Sequence, residues 1–225
     1  MYHWDFTAVL ASWPLLAAGL LNTLQLTAVA LACGLVLGLA LALLRLSPRR
    51  LMSWPAGFVI EVFRTTPPLV QLFWFFFALP LIVGIEMTPF MAAIVTFSIQ
   101  SAAFFAEVFR AGIVSIERGQ WDGALAIGMS RRQALARIVL PQAVKRMLPA
   151  FLERAIELMK TTTLVATIAY ADLLFEANEI SQKTFRPLET FTVVALIYFV
   201  VIFAFSLLAR QFEQRLAVSG ESTVH

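Results

Sequence analysis

The chain has little charge and a single cysteine, and these two absences limit what it can be. Only 14% of its 225 residues are Asp, Glu, Lys or Arg, whereas 60% are hydrophobic. An ordinary soluble domain is less apolar than this, and the apolar residues fall in long runs. The composition therefore predicts a polytopic membrane protein. The net charge of +3 is explained by basic cytoplasmic loops, so we expect no nucleic-acid partner.

The scarcity of cysteine and histidine limits the chemistry further. Cys33 lies in an apolar run and, being alone, cannot form an internal disulfide or a cysteine-rich metal site. His3 and His225 are isolated near the two ends of the chain, so we predict no metal site. No glycine is followed by lysine, so the Walker phosphate loop is absent. This chain therefore cannot bind a nucleotide in that way, so we expect no cofactor in it and any ATP to be bound by another subunit.

Five apolar segments are long enough to cross about 30 Å of hydrocarbon, which predicts an all-α membrane protein. The segments cover approximately residues 15–44, 69–85, 89–109, 147–171 and 189–209 of a single transmembrane domain, 1–225. Residues 52–63 predict an interfacial helix ahead of the second span. The end of this helix is marked by Arg64 and by the prolines that follow it, Pro67 and Pro68. No Lys or Arg precedes the first span, so a cleaved secretory signal is not expected.

Lysine and arginine are concentrated on one predicted side of the membrane. They flank the connection between the first two spans, fill residues 113–142 between the third and fourth, and follow the last span at Arg210 and Arg215. Because cytoplasmic loops carry an excess of positive charge, we predict an outside N-terminus and a cytoplasmic C-terminus. Loop 113–142 is then cytoplasmic, and residues 172–187 face outside.

The cytoplasmic loop contains signals for two short, capped helices. Residues 120–127 can form two helical turns, and Gly128 can end them in the left-handed conformation. Ser130 with Gln133 three residues later is a capping-box pattern that starts a second helix. Pro141 is expected to close this unit, because its ring excludes a continuing helical hydrogen bond. The loop could pack only on its own membrane domain, or it could be a docking element for a partner.

The spacing of residues within this loop resembles a known motif. Binding-protein-dependent ABC importer permeases have the pattern Glu-Ala-Ala, three residues, Gly, nine residues, Ile, one residue, Leu-Pro. The residues of this chain at that spacing are Asp122, Gly123, Ala124, Gly128, Ile138, Leu140 and Pro141. Asp122 replaces Glu, and Gly123 replaces Ala, which weakens the helix by up to about 1 kcal/mol. The resemblance implies that these seven residues couple the chain to an ATPase.

Five further segments resemble the polar amino acid permeases within that family. In chain order they are residues 19–27, 63–72, 106–113, 160–164 and 184–189. The resemblance implies a permease subunit of an ATP-driven importer in the bacterial inner membrane, which forms the translocation path for a polar amino acid. It also implies two ATP-binding subunits, a second permease subunit and an extracytoplasmic solute-binding protein. The binding protein would dock near residues 172–186.

The fourth span carries ionisable residues at a depth where charge is costly. Glu153, Glu157 and Lys160 are spaced to share one helical face, and Arg154 lies beside them. They could form a self-neutralising ladder. Alternatively, they could line a polar path, since a zwitterionic amino acid needs a cation for its carboxylate and an acid for its ammonium group.

Other polar and small residues have simpler interpretations. Glu107 and Arg110 are spaced to form an ion pair at the end of the third span. The small residues of that helix, and a Gly-x-x-x-Gly face in the first span, predict helix contacts. They are Ser98, Ala102, Ala106, Gly34 and Gly38.

Two other functional classes remain open on the sequence alone. An ion-gradient-driven secondary transporter of amino acids would explain the ionisable face of the fourth span, but it would leave the capped cytoplasmic loop unexplained. A membrane scaffold or sensor subunit would move no substrate across reconstituted vesicles.

Overall fold

The computed structural model describes residues 2–217, and over that range the chain is a bundle of helices without strands. His225 lies outside the described residues. The helices in the first half are α1 Thr7–Ala11, α2 Trp13–Arg45, α3 Arg50–Thr65, α4 Pro68–Phe73, α5 Leu79–Val83 and α6 Pro89–Val114. Those in the second half are α7 Arg118–Ala126, α8 Arg131–Ala134, α9 Leu140–Thr161, α10 Leu173–Thr184 and α11 Pro187–Ala217.

Three of these helices are long and apolar enough to cross a membrane alone. They cover Trp13–Arg45, Pro89–Val114 and Pro187–Phe212. Two bent pairs raise the number of candidate spans to five. One joins Arg50–Thr65 to Pro68–Val83 with a bend of 107°, and the other joins Arg131–Ile168 to Leu173–Thr184 with a bend of 48°. The all-α polytopic fold predicted from the sequence is confirmed, while the orientation stays a prediction.

The sharp bend in the first pair follows from its sequence. Thr66 and Pro67 are both extended, because a residue before proline is pushed out of the helical conformation. Pro68 then begins α4. Proline has no backbone N–H to donate, but at the first position of a helix that N–H would have no partner within the helix, so no hydrogen bond is lost. The helix predicted over 52–63 is therefore α3, and it meets the following span almost at a right angle.

The centre of the fold is the close pairing of α2 with α6. A Cβ atom at Gly34 would lie 2.6 Å from the Cβ of Ser101, and one at Gly38 would lie 2.8 Å from the Cβ of Phe105. Such distances leave no room for a side chain, so the glycines allow the two backbones to approach. The helix contacts predicted for Gly34, Gly38 and the small residues of α6 are confirmed.

The prediction that Pro141 closes the loop is wrong. The chain stays helical from Arg131 to Ile168, with a π-helical turn at Leu135–Val139. In that turn the Leu140 amide donates to the Leu135 carbonyl, one residue further back than in an α-helix. Because the turn is wider, Pro141 falls at the start of α9, where it has no hydrogen bond to donate.

A polar network joins the N-terminal segment to the beginning of α11. The buried Glu189 carboxylate accepts from the Tyr2 hydroxyl at 2.5 Å, the Asp5 amide at 3.1 Å and the Arg186 guanidinium at 3.0 Å. A buried carboxylate needs several partners of this kind to remain stable. The network fixes the N-terminus against the segment 172–187 that we predict to face outside.

Candidate functional site

The loop between α6 and α9 begins with a rigid, well-capped helix, α7. Gly128 has φ +84°, and its amide donates to the Leu125 carbonyl at 3.0 Å. The next amide, Met129, donates to the Ala124 carbonyl at 3.1 Å. Together these bonds form a Schellman cap, which satisfies carbonyls that the helix end would otherwise leave open. The left-handed helix end predicted at Gly128 is confirmed.

The second helix of the loop starts with the predicted capping box. The Gln133 amide donates to the Ser130 hydroxyl at 3.3 Å, and the Ser130 amide donates to the Gln133 side-chain carbonyl at 2.9 Å. Both orphan donors of the first turn are therefore satisfied reciprocally. The break between the two helices is short and has a fixed geometry.

The loop is attached to the membrane helices by a small apolar cluster. Ile116, Val139, Ala143 and Met147 are buried together, with Trp121 of α7 packed against them. A hydrogen bond of 3.1 Å between the Gln142 and Gln120 side chains joins the beginning of α9 to α7. The loop helix α7 is therefore joined to the start of α9 by both apolar packing and a hydrogen bond.

The opposite side of α7 is open. Asp122 and Gly123 are exposed, and no atom lies within 4 Å of where a Cβ at Gly123 would be. Three apolar side chains of the loop, Leu125, Ile127 and Leu135, are also exposed, and Ile127 is 73% accessible. An exposed apolar surface on a rigid helix is suited to binding another protein.

The seven residues of the loop motif fall into two groups. Ala124 is buried and Ile138 is half-buried, so these two anchor the loop. The other five, which are Asp122, Gly123, Gly128, Leu140 and Pro141, are exposed. The coupling role that the motif resemblance implies for them stays a prediction.

A second feature is a polar cleft of about 190 Å³ among α3, α4, α6 and α9. Its lining combines basic, acidic, amide, hydroxyl and aromatic side chains in a mostly apolar protein. The lining residues are Arg64, Thr66, Pro68, Gln100, Ser101, Phe104, Phe105, Arg154, Glu157, Leu158 and Thr161.

The aromatic ring of Phe104 contacts two arginine side chains of the cleft. The guanidinium carbon of Arg154 lies 3.4 Å from the centre of the Phe104 ring, and that of Arg64 lies 5.7 Å from the same ring. Arg154 also donates to the Glu157 carboxylate at 2.5 Å. Cation–π contact and ion pairing together hold Arg154 in one position.

The structure brings only part of the predicted ionisable face together. Arg154 and Glu157 pair and line the cleft, whereas Glu153 and Lys160 are exposed and form no ion pair with any side chain that the structure describes. The four-membered ladder is therefore reduced to one pair. Near the cleft, the predicted pair of Glu107 with Arg110 is confirmed, with a hydrogen bond of 2.9 Å.

Sequence reasoning missed the contribution of α3 and α6 to the cleft. Arg64 comes from the end of α3, and Gln100, Ser101 and Phe104 come from α6. The available signal was the presence of Gln100 and Ser101 in an otherwise apolar span, since polar residues inside a membrane helix mark functional positions. The bend that carries Arg64 to them has no simple sequence signature.

The chain matches a protein-family model over most of its length. Residues 34–218 match the model described as "binding-protein-dependent transport system inner membrane component".

Two curated relatives cover nearly the whole chain. The arginine transport system permease protein ArtQ of Bacillus subtilis is 34% identical over 94% of this chain and 97% of its own length. The glutamate/aspartate import permease protein GltK of Escherichia coli O6:H1 is 35% identical over 96% of this chain and 100% of its own length.

Solved structures have the same fold. A chain of an amino acid ABC transporter crystallised with histidines superposes with a TM-score of 0.90 at 36% identity, covering 95% of this chain and 100% of that chain. A chain of the inward-facing methionine ABC transporter MetNI superposes with a TM-score of 0.77 at 19% identity, covering 92% of this chain and 98% of that chain, and shows the fold alone.

Proposed function

Because this chain belongs to the family of binding-protein-dependent transport system inner membrane components, we propose that it forms the translocation path for a polar amino acid in an ATP-driven importer. It is a multi-pass inner-membrane permease subunit and not an enzyme, since ATP hydrolysis in this family resides in a separate subunit. Permeases of the family work with an ATPase, a second permease and a binding protein.

The observation that carries the proposal is the pair of opposite charges in the cleft. Arg154 and Glu157 place a cation and a carboxylate side by side, next to the polar side chains of Gln100 and Ser101. A zwitterionic amino acid presents the complementary pair of charges within a few bonds. Two relatives with about one third identity are named for amino acid transport, which agrees with this interpretation.

The partners follow from the exposed surfaces. We infer that two ATP-binding subunits, which hold the ATP, dock on the open side of α7 around Asp122 and Gly123. A second permease subunit, identical or related, completes the path, and an extracytoplasmic binding protein delivers the substrate near residues 172–186. The absence of a Walker phosphate loop is consistent with this division of work.

A continuous helix supports coupling between the loop and the cleft. From Arg131 to Ile168 the chain forms one helical segment, which begins in the loop and contains Arg154 and Glu157. A displacement imposed on the loop by an ATPase would therefore move both charged residues together. Such a rigid connection is what an alternating-access mechanism requires of a permease.

The ion-gradient alternative has no comparable support. The matched family is defined by its dependence on a binding protein, and neither relative described above is named as a gradient-driven carrier. That alternative also leaves the open, capped surface of α7 without a role.

Transport in reconstituted vesicles tests the proposal. The complex containing this chain, its ATPase and its binding protein would be incorporated into proteoliposomes, and uptake of labelled polar amino acids would be measured with ATP and separately with an imposed proton gradient. We expect uptake that requires ATP and the binding protein. Uptake driven by the proton gradient without ATP would contradict the proposal, and so would the absence of any amino acid flux.

Glu157 provides a residue-level prediction. We expect Glu157→Gln to remove the negative charge that attracts a substrate ammonium group and to weaken the bond from Arg154, lowering ATP-driven uptake roughly tenfold. Glu153→Gln is the matched control, because Glu153 lies one turn away on the same helix and does not line the cleft. Uptake rate and substrate range would be measured for both variants. Unchanged rate and range in Glu157→Gln would count against a substrate role for this face.

A further inference from the structure

The fold buries one carboxyl group that the proposed function does not use. Asp172 lies in the connection between the helical segment that ends at Ile168 and α10, and it is fully buried. Its Oδ1 atom accepts from the Phe175 amide at 2.8 Å and so caps the beginning of α10. Its other oxygen, Oδ2, has no hydrogen-bond partner among the atoms that the structure describes. The helix cap therefore accounts for only half of this carboxyl group.

The backbone around Asp172 is fixed against α2. A Cβ atom at Gly19 would lie 2.9 Å from the Asp172 carbonyl oxygen, so the close approach needs a glycine there. The Asn22 side chain donates to the carbonyl of the residue before Asp172 at 2.8 Å. The amide of the residue after Asp172 donates to the Thr23 hydroxyl at 3.2 Å. Contacts on both sides of Asp172 therefore hold its carboxyl group inside the junction between α2 and α10.

No cation that the structure describes faces the Asp172 carboxyl group. The ionisable groups that do face it are Glu176 on α10, Tyr198 on α11 and Tyr170 in the preceding turn. The α2 residues that contact this segment are uncharged. Asp172 also forms no ion pair with any described side chain. A carboxylate at this position would be a buried charge without a partner, which is costly.

A buried hydroxyl group stands beside the carboxyl group. The Tyr198 hydroxyl, like Asp172 Oδ2, has no hydrogen-bond partner among the described atoms. The Tyr198 side chain packs against the apolar cluster that contains Leu173 and Val194, where α10 and α11 meet. Because a hydroxyl group can both donate and accept, Tyr198 can serve either charge state of Asp172.

We propose that Asp172 is a proton-binding site, which holds its proton on Oδ2 while α2, α10 and α11 are packed together at the end of the protein predicted to face outside. Full burial without a cation disfavours the charged form of a carboxyl group. In the protonated form Oδ1 still caps α10, and no charge is buried. Loss of the proton requires water or another donor at Oδ2 and so loosens the junction at which the segment 172–187 begins. The packing at this end of the protein is then sensitive to the pH outside.

Infrared spectroscopy tests for the proton directly. A protonated carboxyl group has a carbonyl stretching band that is separate from the bands of carboxylates and of the peptide backbone. Difference spectra of the purified complex that contains this chain should show such a band well above about pH 4, where exposed Asp and Glu lose their protons. Asp172→Asn should remove the band. Glu179→Gln is the matched control on the same helix, and it should leave the band in place because Glu179 is ion-paired with Lys183.

Thermal unfolding supplies a second test. Asn has the shape of a neutral Asp and keeps an oxygen that can cap α10. The unfolded Asp172 loses its proton at about pH 3.9, so the wild type loses stability as the pH rises above that value, and Asp172→Asn does not. The Tm of Asp172→Asn relative to the wild type should therefore rise by roughly 5 °C or more between about pH 4.5 and about pH 8. Glu179→Gln should show no such rise.

Each measurement can overturn the assignment. It would be overturned if no infrared band disappeared in Asp172→Asn, or if the Tm difference between this variant and the wild type did not change with pH. Tyr198→Phe removes the hydroxyl group available to the ionised carboxylate, so the Asp172 band should persist to a higher pH than in the wild type. Loss of the band at a lower pH would exclude Tyr198 as that donor. None of these measurements involves transport, so they leave the proposed function untouched.

Discussion

We expect Gly128→Pro to abolish ATP-driven transport while the protein remains inserted in the membrane. Gly128 has φ +84°, whereas proline is restricted to about −65°. The substitution also removes the amide that donates to Leu125 at 3.0 Å, so one bond of the Schellman cap is lost. The local cost of about 3 kcal/mol is large enough to unwind the end of α7. Uptake should then fall by roughly a hundredfold or more.

Gly84→Pro is the matched control for this substitution. Gly84 is also left-handed, with φ +71°, and its amide also ends a helix by donating to a carbonyl, that of Pro80. It lies at the end of α5, away from the α7 loop, so the ATPase should still copurify with the variant. Membrane insertion and uptake would be measured for both proteins. Full transport by inserted Gly128→Pro would show that the loop geometry is not needed for coupling.

The second large effect is expected at the contact between α2 and α6. Gly38→Val would place a Cβ 2.8 Å from the Cβ of Phe105 and 2.9 Å from the carbonyl oxygen of Ala102. The second of these is a backbone atom, so the clash is relieved only by separating the helices. We expect a loss of about 3 kcal/mol in the free energy of unfolding, which corresponds to a decrease in Tm of roughly 6–12 °C.

Ala40→Val controls for added volume and lower helix propensity. Ala40 is on the same helix two residues later, and it is exposed. It should therefore shift the unfolding temperature by much less. Thermal unfolding of the detergent-solubilised variants would measure the difference. Equal Tm values for the two variants would mean that α2 and α6 do not depend on this close approach.

The features that the sequence predicted correctly are those determined by neighbouring residues. The left-handed end at Gly128 and the capping box at Ser130 need only a few consecutive residues, and both are present. The pairing of Glu107 with Arg110 is one helical turn long and is also present. The approach of Gly34 and Gly38 to α6 is a longer contact, but glycines spaced by four in an apolar helix have few other uses.

The features that the sequence did not predict depend on backbone geometry at a distance. Pro141 does not end the loop. A π-helical turn precedes it, and the proline therefore lies at the start of α9, where the helix needs no N–H donor from it. The cleft joins Arg64 to Glu157 across 93 residues, and it requires the 107° bend after α3 that no periodicity revealed. Helical spacing alone allowed either a four-membered ladder or a polar path on α9, and it could not show that Phe104 of another helix contacts Arg154.

Site-specific crosslinking of α7 tests the central claim most directly. Cys33→Ala removes the single cysteine. Ala126→Cys, at an exposed position of α7, would then be labelled with a photoactivatable thiol reagent in native membranes, and the products identified by mass spectrometry. Leu51→Cys, at a position that is 88% exposed on α3, is the accessibility control. The account predicts an ATP-binding subunit crosslinked at position 126 and not at position 51. Equal labelling of both positions without an ATP-binding subunit would contradict it.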